Sequence, residues 1–141
     1  MITATIRPRI DDLGPAGHIH NTVLPAWFQE ARYEILEAFS PPMTPDPLPL
    51  MIKEYTVTFH RELMLSPEVV IEIHVERIGN SSFVLQETAR QRNHKAATSR
   101  VVYVYVGADS QPSPIPDQLR IYLAQHCVPG SVERLTGSDG Q

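Results

Sequence analysis

The sequence predicts an α+β fold in which a curved antiparallel sheet wraps around one long helix, and three observations carry that prediction. Strand-like alternation opens the chain, an apolar stripe of helical period follows, and four more strand-like segments come after a proline-rich break. The 141 residues, 42% hydrophobic and 20% charged, suit one domain with one core. A chain this long hides roughly 68% of its unfolded surface on folding, so it needs neither a disulfide nor a structural metal.

Ile2, Ala4, Ile6 and Ile10 alternate with Thr3, Thr5, Arg7 and Arg9, the pattern of a strand with one buried face. Pro8 lacks an N–H, which assigns this strand to an edge or a bulge. Residues 11–21, DDLGPAGHIHN, form a loop rich in chemistry-bearing side chains. From Thr22 to Phe39 the residues Leu24, Phe28, Ala31, Ile35 and Ala38 fall on one helical stripe, widened by Trp27 and Phe39. Thr22 is the expected cap, with Pro25 in the first turn where its missing N–H breaks no intrahelical bond. The segment 40–50, SPPMTPDPLPL, carries five prolines and must be a stiff connection.

Strands are expected at about 51–62, 68–79, 82–92 and 96–106, with breaks at Ser66-Pro67, Gly79-Asn80 and Asn93-His94-Lys95. In the second of them Val69, Ile71, Ile73 and Val75 face one way and Glu72, His74 and Glu76 the other, as in a half-buried antiparallel strand. The last, RVVYVYV, is apolar on both faces and should be central or covered by a second chain. A short helix is expected over 117–125. The domain is therefore assigned to 1–126, and the glycine-rich, aperiodic segment 127–141 is expected to be a mobile tail.

Twelve basic against sixteen acidic residues give a net charge of −4, which argues against nucleic acid as a partner. Cys127 is the single cysteine, so neither an intramolecular disulfide nor a cysteine-based zinc site is available, and a reducing, cytoplasmic setting is expected. The opening MITATIRPRI has no signal-peptide pattern, and no run approaches ~18 apolar residues, so no membrane association is expected.

The stretch GHIHNTVLPAWFQEARYEIL resembles the hotdog-fold acyl-CoA thioesterases of the 4-hydroxybenzoyl-CoA thioesterase type. Their pattern there is Gly-His-Val-Asn-Asn, an apolar helix and Glu-Ala-Arg. Gly17, His18, Ile19 and Asn21 match the first part, and Glu30, Ala31 and Arg32 the last. ERIGNSSF (76–83) and IPDQL (115–119) fall where that family has similar features, and the likeness spans about residues 1–125. It implies a hotdog fold, a thioesterase that hydrolyses an acyl-CoA or acyl-carrier-protein thioester, and a homo-oligomer, dimer or tetramer. Coenzyme A or phosphopantetheine would enter as part of the substrate, with no separate cofactor and no metal.

The resemblance has a gap at its catalytic carboxylate. Family members carry Asp-x-Asp before the glycine, and counting back from Gly17 puts Asp12 on the first aspartate and Gly14 on the second, the nucleophile or base. Thioesterases of enediyne polyketide pathways similarly lack that acid and rely on an arginine of the helix, a position on which Arg32 falls. The family's oxyanion donor, a backbone N–H seven residues after the catalytic position, corresponds to Asn21.

Hydrolysis needs a stabilised oxyanion and an activated water or nucleophile. Free N–H groups where the helix begins near Asn21 supply the first. For the second the candidates are His20, His18, Asp12 and Glu30, each with a structural alternative. Asp12 can cap a loop, His18 can hold a turn, and Arg32 can be an interface ion-pair partner. Gly14, Gly17, His18, Arg61, Ser81 and Ser82 are the expected substrate-binding positions. His60, His74, His94 and Cys127 show no motif and are read as surface or packing residues. Two rival functions remain, a hotdog dehydratase and a non-catalytic acyl-CoA-binding protein in which Gly14 marks a lost active site.

Overall fold

The computed structural model describes residues 1–40 and 48–127, so most of the proline-rich connection and the tail from residue 128 lie outside the described residues. Five antiparallel strands form one sheet: β1 (Ile2–Ile6), β2 (Leu50–Phe59), β3 (Val69–Ile78), β4 (Ser82–Gln91) and β5 (His94–Tyr105), ordered β1-β3-β4-β5-β2. The edge position read from Pro8 holds for β1, but the strand ends at Ile6. Ile10 starts a one-turn 3-10 helix (Ile10–Asp12) and is 74% exposed instead of continuing the buried face.

β5 lies between β4 and β2, which explains why RVVYVYV is apolar on both faces. Val101 and Tyr103 join the core cluster, and Val102 and Val104 on the opposite face are also buried. The β4–β5 hairpin turns on Arg92 and Asn93, at φ 54° and 64°, one residue earlier than the expected break. Two consecutive positive φ values belong to the two-residue turn whose twist suits a hairpin.

The helical segment supplies Leu24, Trp27, Phe28, Ala31, Ile35 and Phe39 to the core, against Ile71, Ile73, Val75, Phe83 and Leu85 of the sheet. Ala38 of the expected stripe is only half-buried. Instead of one continuous helix from Thr22, a 3-10 turn (Asn21–Val23) leads into α1 (Leu24–Ala31) and then α2 (Tyr33–Phe39), with a bend at Arg32. The Arg32 N–H is shared between the carbonyls of Phe28 and Gln29, both at 3.1 Å, while Leu36 N–H still reaches Arg32 O at 3.0 Å. The cap is also different: Nδ1 of His20, not Thr22, accepts the Thr22 N–H at 3.3 Å. Pro25 does sit in the first turn of α1. α3 (Asp117–Ala124) closes one end of the core with Leu123.

The bend coincides with a buried ion pair. Arg32 turns inward, donating from Nε to Glu87 Oε2 at 2.6 Å, from Nη2 to Glu87 Oε1 at 3.3 Å and from Nη1 to the Tyr103 hydroxyl at 3.2 Å. Its guanidinium also lies 5.0 Å from the Tyr55 ring centroid. Both side chains are at most 1% exposed. Burial pushes the Glu87 carboxyl up, opposed by the hydrogen bond and charge of Arg32. Burial, the largest single influence, lowers the guanidinium, but the hydrogen bond and charge of Glu87 together with Tyr103 and Tyr55 outweigh it and hold the group above its ordinary value.

Candidate active site

Two loops build a pocket of about 580 Å³, within the range of small-ligand sites. The first runs from β1 to the helix. Leu13 and Ile19 bridge as a miniature antiparallel pair, and between them Gly17 N–H closes a turn onto Gly14 O at 3.1 Å while Gly14 N–H meets His18 O at 2.8 Å. Gly17 sits at φ +86°, a conformation that favours glycine. The second loop leaves the end of β2 and is tied to the first by Ile19 N–H to Leu63 O at 2.8 Å. Phe59, His60, Arg61 and Glu62 thereby face Gly14, His18, His20 and Asn21 across the pocket, over an apolar floor of Ile19, Leu24 and Leu63.

His18 Nδ1 lies 3.1 Å from Glu62 Oε1. In the neutral ring this carboxylate takes the Nδ1–H and leaves the Nε2 lone pair to accept a proton, the arrangement a general base requires. His20 is tuned the other way. A backbone N–H can only donate, so the bond from Thr22 N makes His20 Nδ1 an acceptor and puts the neutral ring's proton on Nε2. The Thr22 hydroxyl, 2.8 Å from the same nitrogen, reinforces that orientation. His20 is therefore set to donate a hydrogen bond from Nε2. The Asn21 N–H, at the first position of the 3-10 turn, has no backbone acceptor among the described residues and borders the pocket. Unused amides at a helical N-terminus suit a developing negative charge.

The pocket thus gathers Gly14, His18, His20, Asn21 and Arg61 from the sequence reading, and Gly17 shapes the turn beneath them. It does not gather the others. Asp12 is 8% exposed and accepts the Arg9 N–H at 2.8 Å, which commits its carboxylate to the 3-10 turn. Glu30 is exposed on α1, and Arg32 is buried against Glu87. Ser81 and Ser82 are buried in the β3–β4 hairpin, at the opposite end of the sheet from the Gln91 end where the pocket loops lie. Glu62 and His60 were missed. His60, read as a surface or packing residue, lines the pocket with Nε2 3.0 Å from Thr98 Oγ1. Gly14 itself needs no unusual φ, and a Cβ there would meet His20 Cδ2 at 3.2 Å. No group of three or more His, Cys, Asp or Glu among the described residues is placed to hold a metal ion. Nor, among them, is any helix long and apolar enough to cross a membrane.

A curved antiparallel sheet around a central helix, with its pocket where the loop before the helix meets the end of an edge strand, defines a hotdog-type fold. The chain belongs to the Thioesterase-like superfamily, whose family model matches residues 8–123. Among solved structures it is similar to a predicted thioesterase from Bacillus stearothermophilus, at 33% identity over 90% of this chain and 96% of that one, with a TM-score of 0.85. A thioesterase from Thermus thermophilus, determined with coenzyme A and Zn, shares the fold at 23% identity and a TM-score of 0.77, over 87% of this chain and 91% of that one. No curated protein matches the chain.

Proposed function

We propose that the protein hydrolyses an acyl-CoA or acyl-carrier-protein thioester to a free acid and a thiol. The observation that carries this reading is that the His18–Glu62 pair and the Asn21 N–H, which meets no backbone acceptor among the described residues, border one pocket. His18 Nε2 takes a proton from water as that water attacks the thioester carbonyl carbon. Asn21 N–H and His20 Nε2–H stabilise the oxyanion, the C–S bond then breaks, and the imidazolium returns its proton to the departing thiolate. The base missing at Gly14 is thereby replaced by a histidine from the same loop. Family membership and the coenzyme A bound by the Thermus relative support this substrate class. Steady-state thiol release from acyl-CoA and acyl-carrier-protein substrates tests it. Hydration of an enoyl thioester, or binding of coenzyme A without turnover of any thioester, would overturn it.

Asn21 acts in this scheme through its backbone. His20, at φ −66° and ψ 135°, already has the extended conformation that a following proline demands, and proline is well tolerated at a first helical position. Asn21→Pro should therefore fold yet lose about 100-fold in turnover, whereas Asn21→Ala stays within a few-fold of the parent. Equal losses, measured as kcat with folding checked by circular dichroism, would assign the role to the side chain.

The working unit in this reading is a homodimer or a higher assembly of dimers. β2 is a ten-residue edge strand whose outer side meets no other strand among the described residues, with Met51, Ile52 and Phe59 each about half exposed. Such an edge is a template for another strand. Two-fold antiparallel pairing of β2 with its copy brings the Phe59 end, which borders the pocket, beside the partner's Leu50 end. The β3–β4 hairpin carrying Ser81 and Ser82 lies at that Leu50 end, so it reaches a pocket only from the second copy. Sedimentation at micromolar concentration should show a dimer or tetramer, and Met51→Glu with Ile52→Lys should split it and lower turnover. A stable, fully active monomer would contradict this assembly.

A further inference from the structure

We propose that Gln91 is a positioning residue for the reaction: its side chain anchors the loop that carries Glu62 to His18. The inference rests on the acyl-thioester reading above, in which His18 is the base, and concerns how that base is kept in its working tautomer.

The loop needs an anchor because little of it is packed. Between residues 62 and 68 only Leu63 is buried. Outside the strand ladders, and among the described residues, this stretch makes one backbone–backbone hydrogen bond, from Ile19 N–H to Leu63 O at 2.8 Å. That bond joins the immediate neighbours of His18 and Glu62, but a single bond is a pivot and does not fix the loop's orientation. The Glu62 side chain is 68% exposed, so packing does not hold its carboxylate 3.1 Å from His18 Nδ1. The backbone beneath it sets where it sits.

Gln91 supplies the second anchor, two residues past Glu62. Its Oε1 accepts the Met64 N–H at 2.9 Å, and its Nε2 donates to Met64 O at 2.9 Å and to Pro67 O at 2.6 Å. With Met64 the amide exchanges an N–H and a C=O bond, as the facing residue of an antiparallel strand would. Turned over, it would set its oxygen against two carbonyls and its NH2 against an N–H, so one orientation alone fits. Gln91 is buried, and burying an amide costs stability unless its hydrogen bonds are made; here they go to this loop. The anchor itself is rigid. Gln91 ends β4, paired with Val69 of β3 and His94 of β5. Without it the loop would turn about the Ile19–Leu63 bond and carry the Glu62 carboxylate away from His18. The neutral imidazole would then place its proton on Nε2, the nitrogen that has to accept one from water.

Two variants test this. Gln91→Met keeps the length of the side chain and removes its hydrogen bonds; Gln91→Glu keeps the shape, but its carboxylate cannot donate to Met64 O and Pro67 O. Each should lower kcat for an acyl-CoA about fivefold and leave KM within about twofold. In a Glu62→Ala background neither should lower kcat further, because the contact being positioned is already gone. Nitrogen-15 NMR of the histidine rings reads the same effect without substrate. Neutral His18 should carry its proton on Nδ1 in the parent and shift toward Nε2 in both variants. A parental tautomer or a parental kcat in the folded variants would overturn the proposal, as would a loss that persists undiminished in the Glu62→Ala background. If the parent hydrolyses no thioester but the tautomer still shifts when Gln91 is replaced, the hydrolase reading fails and the positioning role stands.

Discussion

His18→Ala is expected to slow thioester hydrolysis by about 100-fold or more while the protein stays folded and KM changes little. The side chain is about one-third exposed on a loop closed by backbone hydrogen bonds, so its removal leaves those bonds in place. What it removes is the lone pair that accepts water's proton, an interaction made only as the carbonyl is attacked. Glu62→Gln should cost less, because an exposed carboxylate that orients an imidazole is partly replaced by solvent. The double variant should be little worse than His18→Ala alone, since two groups acting as a unit are not additive. Wild-type turnover by folded His18→Ala would move the base elsewhere in the pocket.

Arg32→Met should destabilise the fold by about 3–5 kcal/mol, because it leaves the Glu87 carboxylate buried without a counter-ion. For a chain of this size that is a fall in Tm on the order of 10 °C. Combining it with Glu87→Leu should recover much of the loss, since an apolar pair of similar volume avoids the desolvation of two charges. Below its melting transition the Arg32→Met protein should keep near-parental kcat, because the guanidinium faces Glu87, Tyr103 and Tyr55 and not the pocket. The opposite outcome, unaltered stability with turnover lost, would give Arg32 a chemical role in the reaction.

Periodicity made the scaffold legible. The stripe from Leu24 to Phe39, the edge position signalled by Pro8 and the interior position of the doubly apolar strand all follow from local patterns, because burial repeats with the geometry of each element. The break at Arg32 was hidden, since the ion pair it coincides with joins residues 55 positions apart. A signal for it was present in LQETARQ, where Glu87 takes the inward position between Leu85 and Ala89 and so must find a buried cation. Half of the site was legible for a different reason. Gly14, His18, His20 and Asn21 stand on one loop, whereas Glu62 and His60 arrive from the end of β2 by strand pairing. No spacing rule links position 18 to position 62, and only the contact between the two loops brings a carboxylate to the turn-forming histidine.

The central claim is that the thioester carbonyl is held between His18 and Asn21. Its most direct test is a crystal structure with a non-hydrolysable acyl-CoA analogue that keeps the carbonyl. The carbonyl oxygen should lie about 2.7–3.1 Å from Asn21 N, with a water within about 3.2 Å of His18 Nε2 on the face open to attack. A carbonyl seated away from residues 18–21, with His18 out of reach of the reacting carbon, would contradict it.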